Sequence, residues 1–117
     1  MVQVFVGAKC FDSRAAERYF KERRIPFQRI DLPRYGISRR ELESVWRVVG
    51  GLDALLNDRH PDAVFVRHLA REEDRFEKML EDPTLLLTPI VRCGRLASVG
   101  FCPDTWKSWP PEVFGKK

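Results

Sequence analysis

The chain opens on a short β-branched and aromatic run, Val2-Gln3-Val4-Phe5-Val6, which ends at Gly7 and predicts a buried strand. From Ser13 to Arg24 the spacing changes. Ala15, Ala16, Tyr19 and Phe20 recur at helical offsets among charged residues, the pattern of an amphipathic helix. Ile25-Pro26 stops it, and Phe27 to Leu32 reads as a second strand. Two strands joined by a helix run parallel, with a right-handed crossover. Pro33-Arg34-Tyr35-Gly36 is a turn. Ser38-Arg39-Arg40-Glu41 matches a capping box and opens a helix with the apolar stripe Leu42, Val45, Trp46 and Val49, ended by Gly50-Gly51. Leu52 to Asn57 is a short apolar turn or helix. Pro61 to Glu81 reads as helical, in one or two pieces, with Val64, Phe65, Leu69, Phe76, Met79 and Leu80 as buried positions and an Asp74–Lys78 pair at i, i+4. Asp82-Pro83-Thr84 closes it. Leu85 to Val91 is the most apolar stretch, interrupted by Thr88-Pro89. Ile90-Val91-Arg92 and Leu96 to Val99 predict a hairpin around a tight turn at Cys93-Gly94-Arg95. Pro103 to Trp109 allows a last short helix, and Pro110 to Lys117 a tail.

The order is β-α-β, a helical insert over 36–83, then β-β-α. It implies an α/β fold: a four-stranded mixed sheet flanked by helices, the first two strands parallel and the last two antiparallel. This is the thioredoxin-like arrangement, in which a reactive Cys follows the first strand and a cis Pro precedes the third. Thr88-Pro89 stands in the place of that Pro; the other reading is an ordinary trans Pro at a strand edge. At 117 residues, with 44% hydrophobic and 32% charged residues, the chain has the size and core of one domain, 1–117. No apolar run is long enough to span a membrane, and the chain enters a strand pattern at once, with no signal peptide, so a cytoplasmic location is expected. The net charge of +4 is spread among acidic residues. It gives no basic stripe with interleaved aromatics, so no direct nucleic-acid binding is expected, and it suits a pocket for a small anion.

The candidate chemistry sits at Cys10, between the first strand and the first helix. Unpaired N–H groups and the dipole of a helix N-terminus favour the thiolate, with thiol pKa values falling to roughly 3.5–7.5 in such settings against about 8.5 for a free Cys. Lys9 and Arg14 add positive charge, and Ser13 is placed to donate a hydrogen bond to the sulfur. The competing reading of Cys10 is a small, buried, inert residue. Three cysteines, Cys10, Cys93 and Cys102, do not make a secreted disulfide framework. No C-x-x-C occurs, and His60 and His68 stand eight apart, so no metal site is expected.

Three stretches resemble the arsenate reductase (ArsC) family, meaning the glutaredoxin-coupled reductases and their Spx-type regulator relatives. They are Cys10-Phe11-Asp12-Ser13-Arg14, Leu55-Leu56-Asn57-Asp58-Arg59, and Leu85-Leu86-Leu87-Thr88-Pro89-Ile90-Val91 with Val99-Gly100 beyond. The resemblance implies that Cys10 is the nucleophile, with Ser13 supporting its thiolate. In the reductases the equivalent Cys attacks arsenate, glutathione displaces the product and glutaredoxin restores the thiol. The resemblance makes Arg59 the arginine that holds an anion near the sulfur; a solvated helix-end Arg is the alternative. It makes Thr88 and Pro89 the contact for glutathione or a thiol partner. Glutathione is then a co-substrate rather than a bound cofactor, and glutaredoxin a partner. Ser13 stands where Spx-type members often carry a second Cys, so the Cys-x-x-Ser form suits a mixed disulfide with glutathione. The reductases also carry arginines immediately before the Pro and after the hairpin. Here Thr88 and Gly100-Phe101 stand there, which puts arsenate itself in doubt. The second expectation is an Spx-like regulatory or binding module that contacts RNA polymerase or another protein without turnover. Cys93 and Cys102 are candidate resolving thiols, with Cys93 the poorer because the hairpin turn lies away from the active-site end.

Overall fold

Alternation along the first strand fixes the layout of the whole molecule. In β1 (Val2–Val6), Val2, Val4 and Val6 face one side of the sheet, and Gln3 and Phe5 the other. Both sides are covered, which is why the strand reads as a nearly continuous apolar run. The structure is a computed structural model and describes residues 1–114. Its sheet has the order β2-β1-β3-β4, with β2 at Phe27–Asp31, β3 at Ile90–Cys93 and β4 at Leu96–Val99. β1 pairs β2 in parallel, from Val2 opposite Phe27 to Val6 opposite Asp31. β1–β3 and β3–β4 are antiparallel. The chain therefore has the mixed sheet and the β-α-β, insert, β-β-α order expected from its pattern.

One face carries α1 (Phe11–Glu22) and α7 (Pro103–Ser108). Ala16, Tyr19 and Phe20 of α1 pack with Val2, Val4, Val6, Val91 and Trp106. The other face carries the insert: α2 (Leu32–Tyr35), α3 (Arg39–Val49), α4 (Leu52–Leu55), α5 (Ala63–Arg67) and α6 (Glu72–Glu81). Leu42, Val45, Leu55, Leu56, Val66 and Met79 close over Phe5 and Ile90 there.

Several local expectations shift. α1 begins at Phe11 rather than Ser13 because Cys10 itself caps it. It closes through Arg24 in the left-handed region (φ 56°), with the Ile25 N–H on the Phe20 carbonyl at 2.9 Å. The turn at 33–36 is a one-turn helix, opened by the Asp31 carboxylate on the Arg34 N–H and closed by Gly36. The insert's last helical stretch is two pieces. In α5 the buried positions are Ala63 and Val66, not Val64 and Phe65, which are 68% and 56% exposed. The break at His68 ends the stripe, so a periodicity drawn across 61–81 picks the wrong face of the short helix. Asp74 reaches back to Arg71 at 3.5 Å and the Lys78 ammonium lies over the Phe65 ring at 5.7 Å, in place of the expected Asp74–Lys78 pair. Cys93 is the last residue of β3, opposite Leu96, and the turn is Gly94-Arg95 alone. The tail returns onto the molecule: residues 111–114 form a 3₁₀ turn, and Val113 and Phe114 pack on the α1–α7 core. The rest of the expected tail, 115–117, lies outside the described residues. Among these residues no helix is long and apolar enough to cross a membrane.

Candidate active site around Cys10

β1 delivers the chain to Gly7, Lys9 turns it through a positive φ of 50°, and Cys10 returns to extended backbone (φ −99°, ψ 115°) as the N-cap of α1. A capping position normally carries an oxygen that accepts from the first turn. Here a sulfur does so: Cys10 Sγ accepts from the Ser13 N–H at 3.4 Å. As a thiol it donates to the Thr88 carbonyl at 3.6 Å. Thr88 is brought there by the sheet, since β1 pairs with β3 and Thr88-Pro89 leads into β3 through a cis peptide bond.

Ser13 is buried, 1% exposed, and its hydroxyl accepts the Gly7 N–H at 3.1 Å. That bond fixes the oxygen and leaves its proton for the sulfur. Burial, the largest single influence on the Cys10 thiol, disfavours its charge. The Ser13 and Thr88 hydroxyls, with the backbone N–H groups of Ser13 and Asp12, together overcome it, and the thiol titrates below its ordinary value. Gly7 makes the Thr88 contribution possible. A Cβ on Gly7 would meet Thr88 Oγ1 at 2.3 Å.

Cys10 opens into a cleft of about 230 Å³ that is also lined by Lys9, Ser13, Arg14, Glu17, Arg29 and Asp31. Arg29 is held by Glu17 at 3.0 Å. Strand register places the β2 pair there, with Arg29 opposite Val4 and Asp31 opposite Val6, next to the loop that carries Cys10. Sequence reasoning did not select Glu17, Arg29 or Asp31. The parallel pairing of the two strands was the available signal for the latter two. A second cleft, of about 210 Å³, lies across Gly7 and Ala8 and is lined by Asn57, Thr84 and Thr88.

Cys10, Ser13, Thr88 and Pro89 thus come together. Arg59 is exposed in the turn after α4, with its N–H on Asn57 Oδ1 at 3.1 Å, and it lines neither cleft. Arg92 is turned to the opposite sheet face and donates to Gln3 Oε1 at 2.7 Å. Arg95 lines a surface groove with Arg40 and Arg47. The three cysteines are free. Cys93 is buried at the far end of β3 from Pro89 and donates to the Val113 carbonyl at 3.0 Å. Cys102 stands at the N-terminal end of α7 without a capping bond and donates to the Val99 carbonyl at 3.1 Å; burial, and then the Asp12 carboxylate, push its thiol up.

His60, Asp62 and Asp82 have ligand atoms within 4.8 Å of one another. His60 Nδ1 accepts the Asp62 N–H at 2.9 Å, so its proton is on Nε2, facing Asp82 Oδ2 at 3.2 Å and Thr84 Oγ1 at 3.1 Å. Neither ring nitrogen keeps a lone pair for a metal. The cluster ties the 57–63 loop to the 82–84 turn.

No protein-family model and no curated protein matches the sequence. Solved structures do match the fold. The YffB (PA3664) protein superposes with a TM-score of 0.78 at 20% identity, over 92% of this chain and 97% of its own. An arsenate reductase from Vibrio cholerae gives 0.76 at 23% identity, over 88% and 92%. An arsenate reductase (ArsC) related protein from Brucella melitensis gives 0.59 at 19% identity, over 92% of both chains. With a four-stranded sheet in the order β2-β1-β3-β4, and Cys10 and cis-Pro89 at the end of its central strands, the chain has the thioredoxin-like fold of the ArsC arsenate reductase proteins.

Proposed function

We propose that the protein is a thiol oxidoreductase that uses Cys10 as its only nucleophile and glutathione, with glutaredoxin, as its reductant. The observation that carries this reading is the Cys10 sulfur, capped by the Ser13 N–H and served by two hydroxyls that lower its pKa, at the mouth of a cleft. A thiolate is the attacking species in thiol–disulfide exchange. Cys10 attacks the glutathione sulfur of a glutathione mixed disulfide, a new S–S bond forms, and the departing sulfur leaves as a thiolate. A glutathione thiolate then attacks the mixed disulfide on Cys10 and releases the enzyme thiolate with glutathione disulfide. Ser13 and Thr88 stabilise the charge at the start and the end of that cycle, and Thr88 with Pro89 forms the wall against which the incoming thiol lies. Arg59, exposed and without a guanidinium partner among the described residues, is free to meet a carboxylate of an approaching glutathione.

Arsenate is the poorer substrate. The arginines that the reductases carry before the Pro and after the hairpin are Thr88 and Gly100-Phe101 here, and Arg29 in the cleft is already paired with Glu17. Two lost charge-assisted contacts of roughly 1.5–3 kcal/mol each weaken binding by about 10²–10⁴-fold. The same substitutions favour the second reading, an Spx-like module that binds a protein such as RNA polymerase and does not turn over.

Turnover coupled to glutathione and glutaredoxin, run with a glutathione mixed disulfide and with arsenate on the protein and its Cys10→Ser variant, decides between them. Disulfide turnover that vanishes in Cys10→Ser, with arsenate turnover weaker by at least about 10²-fold, is the expected result. A lowered thiol pKa without turnover moves the reading to a sensing or binding module.

A further inference from the structure

The charged side chains that line the cleft at Cys10 are Lys9, Arg14, Glu17, Arg29 and Asp31. Two of them answer each other: Glu17 of α1 and Arg29 of β2 pair at 3.0 Å and tie the helix to the edge strand. The other three are open. Lys9 and Arg14 are exposed, and among the described residues neither side chain has a hydrogen bond or an ion pair. Arg14 stands four residues after Cys10, with its N–H on the Cys10 carbonyl at 3.2 Å, so the two side chains share one side of the first turn of α1. Asp31 is half-buried and lies opposite Val6. Its Oδ1 accepts the Arg34 N–H at 3.3 Å, and its Oδ2 has no partner among the described residues. The nearby charges do not enter. Asp12, in the same first turn, acts on the Cys102 thiol and does not line the cleft, and Arg34 lies over the Tyr35 ring at 5.2 Å.

The cleft thus offers two cations and one carboxylate that the protein leaves unanswered. Glutathione carries the reverse set: two carboxylates and one ammonium, with the ammonium on its γ-glutamyl end. We propose that the cleft seats the glutathione half of a mixed disulfide, with Asp31 receiving the γ-glutamyl ammonium and Lys9 and Arg14 the carboxylates. The proposal rests on the oxidoreductase reading and gives that site its specificity: recognition falls on glutathione, whatever thiol forms the other half. In the step itself, the Cys10 thiolate attacks the seated glutathione sulfur and the Cys10–glutathione bond forms. The old S–S bond breaks, and the other sulfur leaves with the electron pair. Arg59 lines neither cleft, so it is left for the second glutathione, which arrives while the first fills the seat.

Single-turnover kinetics isolate this step. The probe is the mixed disulfide of glutathione with thionitrobenzoate, whose coloured thiolate is released as Cys10 is modified; Cys10→Ser gives the background. Two analogues of the probe each lack one charge. In one, a glutaryl group replaces γ-glutamyl and removes the ammonium; in the other, the glycine ends in a carboxamide. The second-order rate constant for the glutathione probe should exceed that for each analogue by about 10-fold. Asp31→Asn, whose amide oxygen still accepts the Arg34 N–H, should bring the glutaryl ratio close to one and leave the carboxamide ratio. Lys9→Gln with Arg14→Gln should do the opposite. A ratio taken within one variant cancels any change in the thiolate itself, so a merely structural effect would move neither. Equal rates for the three probes, or a carboxamide ratio that only Arg59→Ala abolishes, overturn the proposal. Glutaredoxin-coupled turnover of the glutathione mixed disulfide is measured on the same protein. Turnover with equal probe rates removes the seat and keeps the oxidoreductase reading. Unequal probe rates without turnover keep the seat and remove that reading.

Discussion

Gly7 is held to hydrogen by its neighbour across the site. A Cβ there would lie 2.3 Å from Thr88 Oγ1 and 3.2 Å from Thr88 Cβ, so the whole side chain would have to withdraw from the sulfur. Gly7→Ala should therefore cost about 1–3 kcal/mol, the usual penalty of overpacking, and raise the Cys10 pKa; pairing it with Thr88→Ala should recover much of the stability and none of the pKa. Urea midpoints and the pH dependence of iodoacetamide alkylation measure both. The hydroxyls can be removed singly. Thr88→Val keeps the shape of the side chain and loses one donor to the thiolate, so the alkylation midpoint should move up. Ser13→Ala should move it up too, and should also destabilise by about 1–3 kcal/mol, because the Gly7 N–H loses its acceptor in a buried site. The lowered pKa is also a statement about stability. The native thiol ionises below the unfolded one, so the contribution is complete above the unfolded value near 8.5 and is lost as pH falls through the native value. The stability difference between the protein and Cys10→Ser should thus rise with pH across that interval. The position of Cys10 after a strand and before a helix was legible in the sequence, because strand, glycine and helical spacing adjoin there. The part played by Thr88's hydroxyl was not, since seventy-eight residues separate it from the sulfur and only the β1–β3 pairing closes that gap. Arg59 shows the converse. Its motif was readable, but where a guanidinium points depends on packing that no local pattern encodes.

At the scale of elements, the boundaries that the sequence marked clearly are those with their own capping chemistry. α3 begins where Ser-x-x-Glu says it should: Ser38 Oγ accepts the Glu41 N–H at 3.2 Å, and Glu41 Oε1 accepts the Ser38 N–H at 3.0 Å. Glu41 does more than close the box. Its other oxygen accepts from Gln3 Nε2 at 3.1 Å, and Gln3 Oε1 accepts from Arg92, so the cap fastens the insert to β1 and β3. Burial works against the Glu41 charge, but the Ser38 bonds, Gln3 and the Arg92 cation hold its carboxyl below the usual range. Ser38→Ala should cost about 1 kcal/mol, the ordinary value of a lost cap. Glu41→Ala should cost more, roughly 2–3 kcal/mol, because it also strips Gln3 and the half-buried Arg92 of their anion. Equal losses in urea titrations would mean that the link to the sheet contributes nothing. Two elements that were misread, α5 and the 111–114 turn, are shorter than two turns and carry no such side-chain cap. α5 has five residues, too few for a periodicity to establish which face is inside, and the apolar pair Val64-Phe65 outweighed the smaller Ala63 that the core accepts. The 111–114 turn has no apolar period at all; what holds it is the pocket that Trp109, Phe20 and the Cys93 thiol offer to Phe114 and Val113.

For the molecule as a whole, the sheet acts as a partition with a separate apolar layer on each side. One layer is built mainly from the insert, around Phe5, Leu42, Leu55 and Met79; the other from α1 and α7, around Phe20 and Trp106. β1 and β3 belong to both layers, β2 and β4 form the edges, and Cys10 sits where the two central strands meet the first turn of α1. Opening either layer alone would expose one side of β1 and β3 while leaving their mutual hydrogen bonds shielded from the other. Release of those bonds therefore requires both layers to part, which is global unfolding. The amides of Val4 and Val91 should accordingly exchange with a free energy close to that measured by urea titration. On the edge, β2 has a single partner strand and exposes Gln28 and Arg29, polar side chains of the kind that discourage pairing with another chain. Its outward amides should exchange at lower free energy. α5, a short helix with Val64 and Phe65 in solvent, should exchange faster still. Native-state hydrogen exchange in low urea ranks these directly. The division is wrong if β1 amides exchange through an opening well below the global free energy, for then the two layers would be able to separate from the sheet one at a time. In that event the Cys10 site, which rests on the β1–β3 junction and on the capped end of α1 together, would open with whichever layer left first, and alkylation of Cys10 would no longer report a fixed thiol pKa.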